Sequence, residues 1–191
     1  RILPDDVKSS HNDAALKAHK LLFELLAQSC KVPAQIRTLQ SDGDFHAIVS
    51  LMKKYHSRHR IQQQGCAAFR DPILQNDGNN ISSAVKDGIE VILSAMTAHS
   101  NVSTMQEYGC LALGNLARNN TNLVSIAAKH GIEAIVNAMS AHSNVSKVQE
   151  FGCVALANLS SNNDANRVSI ASKHGIEAIV NAMTAHTNAS N

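Results

Sequence analysis

Aromatic residues, charge of one sign and long apolar runs are all scarce in this sequence. Only 3% of its 191 residues are aromatic and none is tryptophan, so a core would have to consist of aliphatic side chains. The 17 lysines and arginines nearly balance the 15 aspartates and glutamates, and a net charge of +2 gives no reason to expect binding to nucleic acid. No run reaches the roughly 18 apolar residues of a membrane span. A soluble helical protein without membrane insertion is predicted.

Motifs for catalysis or cofactor binding are missing as well. The chain has no GxxxxGKS/T, GxGxxG, HExxH or GxSxG pattern. Ser83 and Lys86 form an isolated SxxK match, in which Lys86 is predicted at a helix end before Gly88. We therefore predict that the protein is not an enzyme and uses no cofactor, metal or small-molecule substrate.

What the sequence does contain is an internal period of 43 or 44 residues. The segment that starts at Gly88 recurs from Gly131 with 29 of 43 aligned positions identical, and a third start appears at Gly175. Gly43 opens a more divergent copy. Such a period is typical of a solenoid, in which each repeat packs on its neighbours.

Each period contains three groups of helix signals. The helix GIEAIVNAM carries a glutamate in its first turn, where the helix dipole favours negative charge. Ser103 with Gln106, and Ser146 with Gln149, fit a capping box that opens the longest helix. A third, shorter helix ends in Lys-His-Gly.

Glycines have two predicted roles within the period. Gly131 and Gly175 follow the Lys-His ends of the short helices, where a left-handed glycine would close the helix. Gly109 and Gly152 lie inside the longest helix, where glycine costs stability unless it allows a close approach. We expect each of these two to lie against another backbone.

The pattern GIxxIVxxM, VQxxGCxALxNL and NRxxIxxxG resembles the armadillo repeat family. The resemblance is close for residues 88–186 and looser for 43–87, where Asp71-Pro72 replaces Asn-Leu. It implies an all-α, right-handed α-solenoid of stacked three-helix armadillo-like repeats. The predicted units of this continuous solenoid are 1–42 (a long helix plus a short helix after Pro33), 43–87 (divergent), 88–130, 131–174 and 175–191 (truncated).

The truncated unit is predicted to end after its second helix. Its apolar residues 176–184 would then lack the third helix that covers them in the preceding copies, and should be exposed. We expect an incomplete array, either a fragment or a chain that a partner completes.

Three of the four cysteines occupy equivalent positions. Cys66, Cys110 and Cys153 lie on stacked helices about 8–10 Å apart, beyond the roughly 7 Å that a disulfide can span. Neither they nor Cys30 have the close spacing of a zinc site. We predict reduced core residues in the cytosol or nucleus.

The histidines recur with the period too. His99, His142 and His186 end the second helix of their copies, where a histidine can bond free carbonyl groups. A structural role is predicted for them.

The resemblance also implies a binding groove. In peptide-binding armadillo proteins the third helix lines the concave face, and an asparagine grips the backbone of an extended peptide. Asn115 and Asn158 match that asparagine, although either could instead bond to a neighbouring turn. The family's tryptophan, four residues earlier, is replaced by Leu111 and Val154, so capture of bare lysine stems is not expected. The full set of predicted partner-binding residues is Glu107, Tyr108, Leu111, Asn115, Glu150, Phe151, Val154 and Asn158.

The segment KKYHSRHR joins the second and third helices of the divergent copy. Lys53, Lys54, Arg58 and Arg60 give it four fixed positive charges. It is either a solvated connection or a surface for an acidic or phosphorylated ligand.

Two functions therefore stay open. The first is a non-catalytic interaction module or scaffold that binds an extended segment of a partner protein in the concave groove. The alternative is a structural subunit, packed permanently into a larger assembly through its open end or convex face. The two differ in whether the isolated chain self-associates.

Overall fold

The chain is helical wherever its structure is described. The computed structural model describes residues 31–70 and 79–186, with side chains from 83 onward in the second range. These ranges contain ten helices and no strand. They are α1 (31–41), α2 (Phe45–Lys54), α3 (His59–Ala68), α4 (Asn79–Ala98), α5 (Ser103–Leu116), α6 (Asn120–Ala128), α7 (Gly131–Ala141), α8 (Ser146–Ser160), α9 (Asp164–Ser172) and α10 (Gly175–His186). The predicted N-terminal long helix, Cys30 and Asp71-Pro72 lie outside the described residues.

Equivalent helices of successive copies pack on one another. Helix α3 packs on α5 and α5 on α8, while α2 packs on α4 and α4 on α7. One cluster of buried, mainly aliphatic residues runs through all of them, and it also contains the rings of Phe45 and Phe69. Within the described ranges, no helix combines the length and the apolarity needed to cross a bilayer.

Two helix boundaries differ from the prediction. Helix α1 is already formed at Lys31, so it does not start after Pro33. Helix α4 runs for 20 residues through Gly88, which places Lys86 inside a helix instead of at its end. The two later copies do break at this point, because His130 and His174 adopt the left-handed conformation with φ of 63° and 61°.

The glycines that follow these histidines allow two successive helices to come into contact. The prediction that Gly131 closes the preceding helix is wrong, since His130 is the left-handed residue and Gly131 begins α7. A Cβ on Gly131 would lie 2.3 Å from Cγ2 and 2.8 Å from the carbonyl oxygen of Ile126. Gly175 has the same relation to Ile170. Glycine therefore lets the start of one helix touch the end of the helix before it.

A buried glutamine fastens the start of each longest helix. Nε2 of Gln106 donates to the carbonyl oxygens of Met96 at 2.9 Å and His99 at 3.0 Å, where α4 ends. The predicted capping boxes are therefore wrong, because the N-cap residues are Val102 and Val145, which make no side-chain cap bond. The same pair of bonds recurs in the other copies, from Gln62 to Met52 and Tyr55 and from Gln149 to Met139 and His142.

Histidines add bonds between copies. Nε2 of His142 lies 2.7 Å from the carbonyl oxygen of Ser100, in the connection one copy earlier. Because a carbonyl only accepts, that ring nitrogen carries the proton. The prediction of a structural role is confirmed, but the carbonyls belong to the preceding copy and not to the histidine's own helix end. His99 and His186 make the equivalent bonds to His56 and Ser143.

Ion pairs connect the first and last helical segments within a copy. Lys129 pairs with Glu90 inside 88–130, and Lys173 pairs with Glu133 inside 131–174. Glu133 also lies 3.0 Å from Nδ1 of His130. Partial burial alone would raise the pKa of Glu133, but the hydrogen bonds from Lys173 and His130 outweigh it and lower that pKa to about 2.

The interior glycines of the longest helices lie against methionine. A Cβ on Gly152 would come within 2.5 Å of Cγ and 2.6 Å of Sδ of Met139. Gly109 has the same relation to Met96. The predicted close approach is confirmed, but the neighbour is a side chain and not a backbone.

Replacing Gly152 by alanine should lower the stability of the protein. Helix propensity alone would favour alanine by about 1 kcal/mol, but overpacking against Met139 costs about 1–3 kcal/mol. We expect a lower melting temperature, measured by circular dichroism, and a smaller loss from Gly152→Ala in a Met139→Ala background, where the overpacked side chain is absent. The control is Ala157→Gly on the exposed side of α8, which reports propensity alone. A more stable Gly152→Ala variant would contradict the packing.

Stability should fall between about pH 5 and pH 2 through Glu133. Its folded pKa of about 2 lies below the ordinary value of 4.5, so the contribution is complete above pH 5 and disappears as the pH falls through the folded value. For a pair this exposed we expect roughly 1 kcal/mol. Urea unfolding of Glu133→Gln should show a flatter acid limb than that of the native chain. Identical limbs for Glu133→Gln and the native chain would contradict the ion pair.

Candidate protein-binding surface

The predicted partner-binding residues lie together on one side of the molecule. They occupy the outward sides of α5 and α8, and Ala67 extends the row onto α3. We call this surface the α3–α5–α8 face. The face points outward because the opposite sides of these helices are buried. Those buried sides carry Gln106 and Gly109 in α5, and Gln149 and Gly152 in α8.

The centre of the face is apolar. Val154 is 48% exposed, whereas the neighbouring core residues Leu156 and Ala155 are almost fully buried. Leu111 is half-buried at the equivalent position of α5. Tyr108 and Phe151 are half-buried, pack against the core and leave part of each ring at the surface.

A lysine that sequence reasoning missed balances the acidic residues. Nζ of Lys147 lies 2.7 Å from Oε2 of Glu150 and 5.4 Å from the centre of the Phe151 ring. The bond to Glu150, and secondarily the charge of Glu107, raises the pKa of Lys147. Lys147 thus forms an ion pair with Glu150 of its own helix, and the charge of Glu107 on the neighbouring helix has a smaller effect. The signal was present in the spacing, because residues three apart share one side of a helix.

The two asparagines differ in their surroundings. Nδ2 of Asn158 donates to the carbonyl oxygen of Gly114 at 2.8 Å, across the contact between α5 and α8. A Cβ on Gly114 would lie 3.2 Å from Cα of Ala155, so the two helices approach closely here. Asn115 is half-buried, and its side chain makes no hydrogen bond with the described residues. The internal bond predicted as an alternative is present for Asn158.

The cysteines are thiols of low reactivity. Cys66 and Cys110 are fully buried, Cys153 is half-buried, and all three are free. Burial raises the pKa of each thiol, for Cys110 to about 12, which disfavours the nucleophilic thiolate. The part of the chain that the structure describes holds no group of three potential ligands arranged for a metal.

The four predicted basic residues lie around the connection from α2 to α3. Lys53 and Lys54 end α2, Arg58 caps the start of α3, and Arg60 is its second residue. Lys53 lies 3.4 Å from Oδ2 of Asp87, and Lys54 lies 5.3 Å from the centre of the Tyr55 ring. This basic connection borders the α3–α5–α8 face at Arg60.

Stacked helices with an outward row of equivalent positions define a helical repeat protein. Residues 10–191 match the family model described as the LRRK2 ARM repeat, and the chain belongs to the armadillo repeat family. Armadillo repeat domains generally mediate protein–protein interaction and are typically non-catalytic scaffolds. No curated protein and no solved structure matches the chain significantly.

Proposed function

We propose that this protein is a non-catalytic module that binds an extended segment of a partner protein along the α3–α5–α8 face. The observation that carries the proposal is the apolar centre of that face, where Val154 and Leu111 meet solvent beside the ring edges of Tyr108 and Phe151. A surface of this kind, rimmed by polar groups, is typical of an interaction site.

The spacing of equivalent residues suits an extended chain. One copy advances the stack by about 10 Å, the diameter of a helix, and an extended peptide rises about 3.3 Å per residue. Equivalent side chains on α5 and α8 would therefore meet every third peptide residue. Asn115 can both donate to and accept from the peptide backbone, whereas Asn158 offers mainly its oxygen because Gly114 occupies its amide.

Specificity would come from the charges and the apolar centre. Lys147 already neutralises Glu150 and lies near Glu107, so a bare lysine of a peptide would have to displace it. Leu111 and Val154 favour aliphatic side chains. We also propose that the repeats form a right-handed solenoid of three-helix units, with boundaries at 43, 88, 131 and 175. The protein would act in the cytosol or nucleus, because buried free thiols stay reduced there.

Photocrosslinking from single positions tests the proposal. A benzoylphenylalanine at Val154 or Leu111 should crosslink a partner from an extract of the source cells. The matched control is Val168 on α9, which is 69% exposed but lies off the face. Val154→Asp should remove most of the crosslink from Leu111, and Asn115→Ala should weaken capture by about 1 kcal/mol, the net value of a neutral hydrogen bond.

Two controls separate a loss of folding from a loss of binding on this face. Asn115→Ala should melt like the native chain, whereas Asn158→Ala should melt lower because it frees the carbonyl of Gly114. Crosslinks that are equally strong from Val168, or unaffected by Val154→Asp, would contradict binding on this face.

A second candidate is a structural subunit that packs through helix α10. Ile176, Val180 and Met183 are 60%, 53% and 66% exposed, whereas the equivalent residues of α7 are almost fully buried. Within residues 176–184 these three side chains are exposed, whereas Ala178 and Ala182 are buried. A stripe of three large apolar side chains along one helix favours association.

Light scattering distinguishes this candidate from the first. If α10 is an assembly surface, the mass of the native chain should rise with concentration. Serine at Ile176, Val180 and Met183 should then keep it monomeric, while serine at Val124 and Val168 should not. A native chain that stays monomeric, with amides of residues 176–186 as protected from hydrogen exchange as those of 132–142, would contradict it.

A further inference from the structure

The basic connection carries charge that its fold does not require. Gln62, Gln106 and Gln149 make the same two bonds, so the three connections can be aligned residue by residue. Their N-cap residues also share one conformation, with φ of −100°, −100° and −99°. The positions of Lys53, Lys54, Arg58 and Arg60 are taken by Thr97, Ala98, Val102 and Thr104 in the next copy, and by Ser140, Ala141, Val145 and Lys147 in the third.

These charges are also poorly compensated. Lys53 and Asp87 are 3.4 Å apart and each is more than half exposed, so their pairing is weak. Arg58 and Arg60 form no ion pair with the described residues. Lys147, at the position of Arg60, is by contrast held by Glu150 at 2.7 Å. The positive charge of the basic connection is therefore available to bind a ligand.

A cleft opens beside these charges. It has a volume of about 330 Å³ and lies between the ends of α2 and α4. Met52, Ala95 and Ala98 give it an apolar wall, while Lys53 lines its rim. Glu90 also borders it, but Lys129 pairs with that carboxylate. The cleft can take one aliphatic side chain next to the basic residues.

We propose that the basic connection and this cleft bind an acidic segment of a partner protein. Arginine guanidinium groups bind carboxylates through paired N–H···O hydrogen bonds, and lysines add positive charge at the rim of the cleft. An aliphatic side chain of the segment enters the cleft. The apolar wall of the cleft favours a peptide over a nucleic-acid backbone, because that backbone consists only of charged phosphates and sugars. The surface does not depend on binding along the α3–α5–α8 face.

Fluorescence anisotropy of the full chain with a labelled peptide of sequence EEDLDEE tests the proposal. The patch variant combines Lys53→Thr, Lys54→Ala, Arg58→Val and Arg60→Thr, which are the residues of the next copy at the same backbone positions, so it should fold. We expect it to bind at least about fourfold more weakly, since four exposed charge contacts contribute roughly 0.2–1 kcal/mol each. Serine in place of the leucine should also weaken binding.

Matched single variants show which surface binds the peptide. Arg60→Thr should weaken binding severalfold, whereas Lys147→Thr, with the same charge loss at the same helix position, should leave it unchanged. Val154→Asp should leave peptide binding intact, which separates this surface from the α3–α5–α8 face. The proposal is overturned if the folded patch variant binds like the native chain, if the two threonine variants behave alike, or if oligouridylate or anionic vesicles bind more tightly than the peptide.

Discussion

The buried glutamine of each longest helix is the interaction on which the rest of the structure depends. The last carbonyl groups of a helix have no partner within it, and burying them unpaired would cost about 1–3 kcal/mol each. Gln62, Gln106 and Gln149 each satisfy one such carbonyl, that of Met52, Met96 or Met139, and so fix where the next helix starts. Their second bond goes to the carbonyl of Tyr55, His99 or His142, which also accepts from the backbone N–H three residues later. Three residues after each glutamine a glycine admits a methionine from the same preceding helix, which sets the spacing of the two helices.

Because structural roles are concentrated on the inward side, the outward side of α3, α5 and α8 can vary. The connection before α3 shows this directly, since Arg58 and Val102 share one backbone conformation but not one chemistry. Asn158 combines the two roles, because its amide supports the contact with α5 while the residue is only half-buried. Binding specificity can therefore change along the stack without a change of fold.

Errors in the sequence interpretation have a common physical origin. Side chains were assigned partners in their own helix: Gln106 at the start of the helix that contains it, and His142 at the end of its own helix. The observed partner of Gln106 lies seven to ten residues back, and that of His142 lies one copy back. Lys147 was missed although its main partner, Glu150, lies three residues along the same helix. The continuity of α4 was missed because Asp87 and His130 follow the same lysine but take different backbone conformations.

The period, the helical class, the mainly aliphatic core and the residues that share the outward face can all be predicted from the sequence. They follow from spacing, because burial repeats with the turns of a helix and the copies repeat along the chain. Which group each amide and ammonium contacts depends on how the copies stack. Asn115 and Asn158 are alike in sequence, yet Asn158 is bonded to Gly114 while Asn115 has no such bond among the described residues. A hydrogen bond requires a partner within about 3 Å, and that distance is set by how neighbouring copies stack.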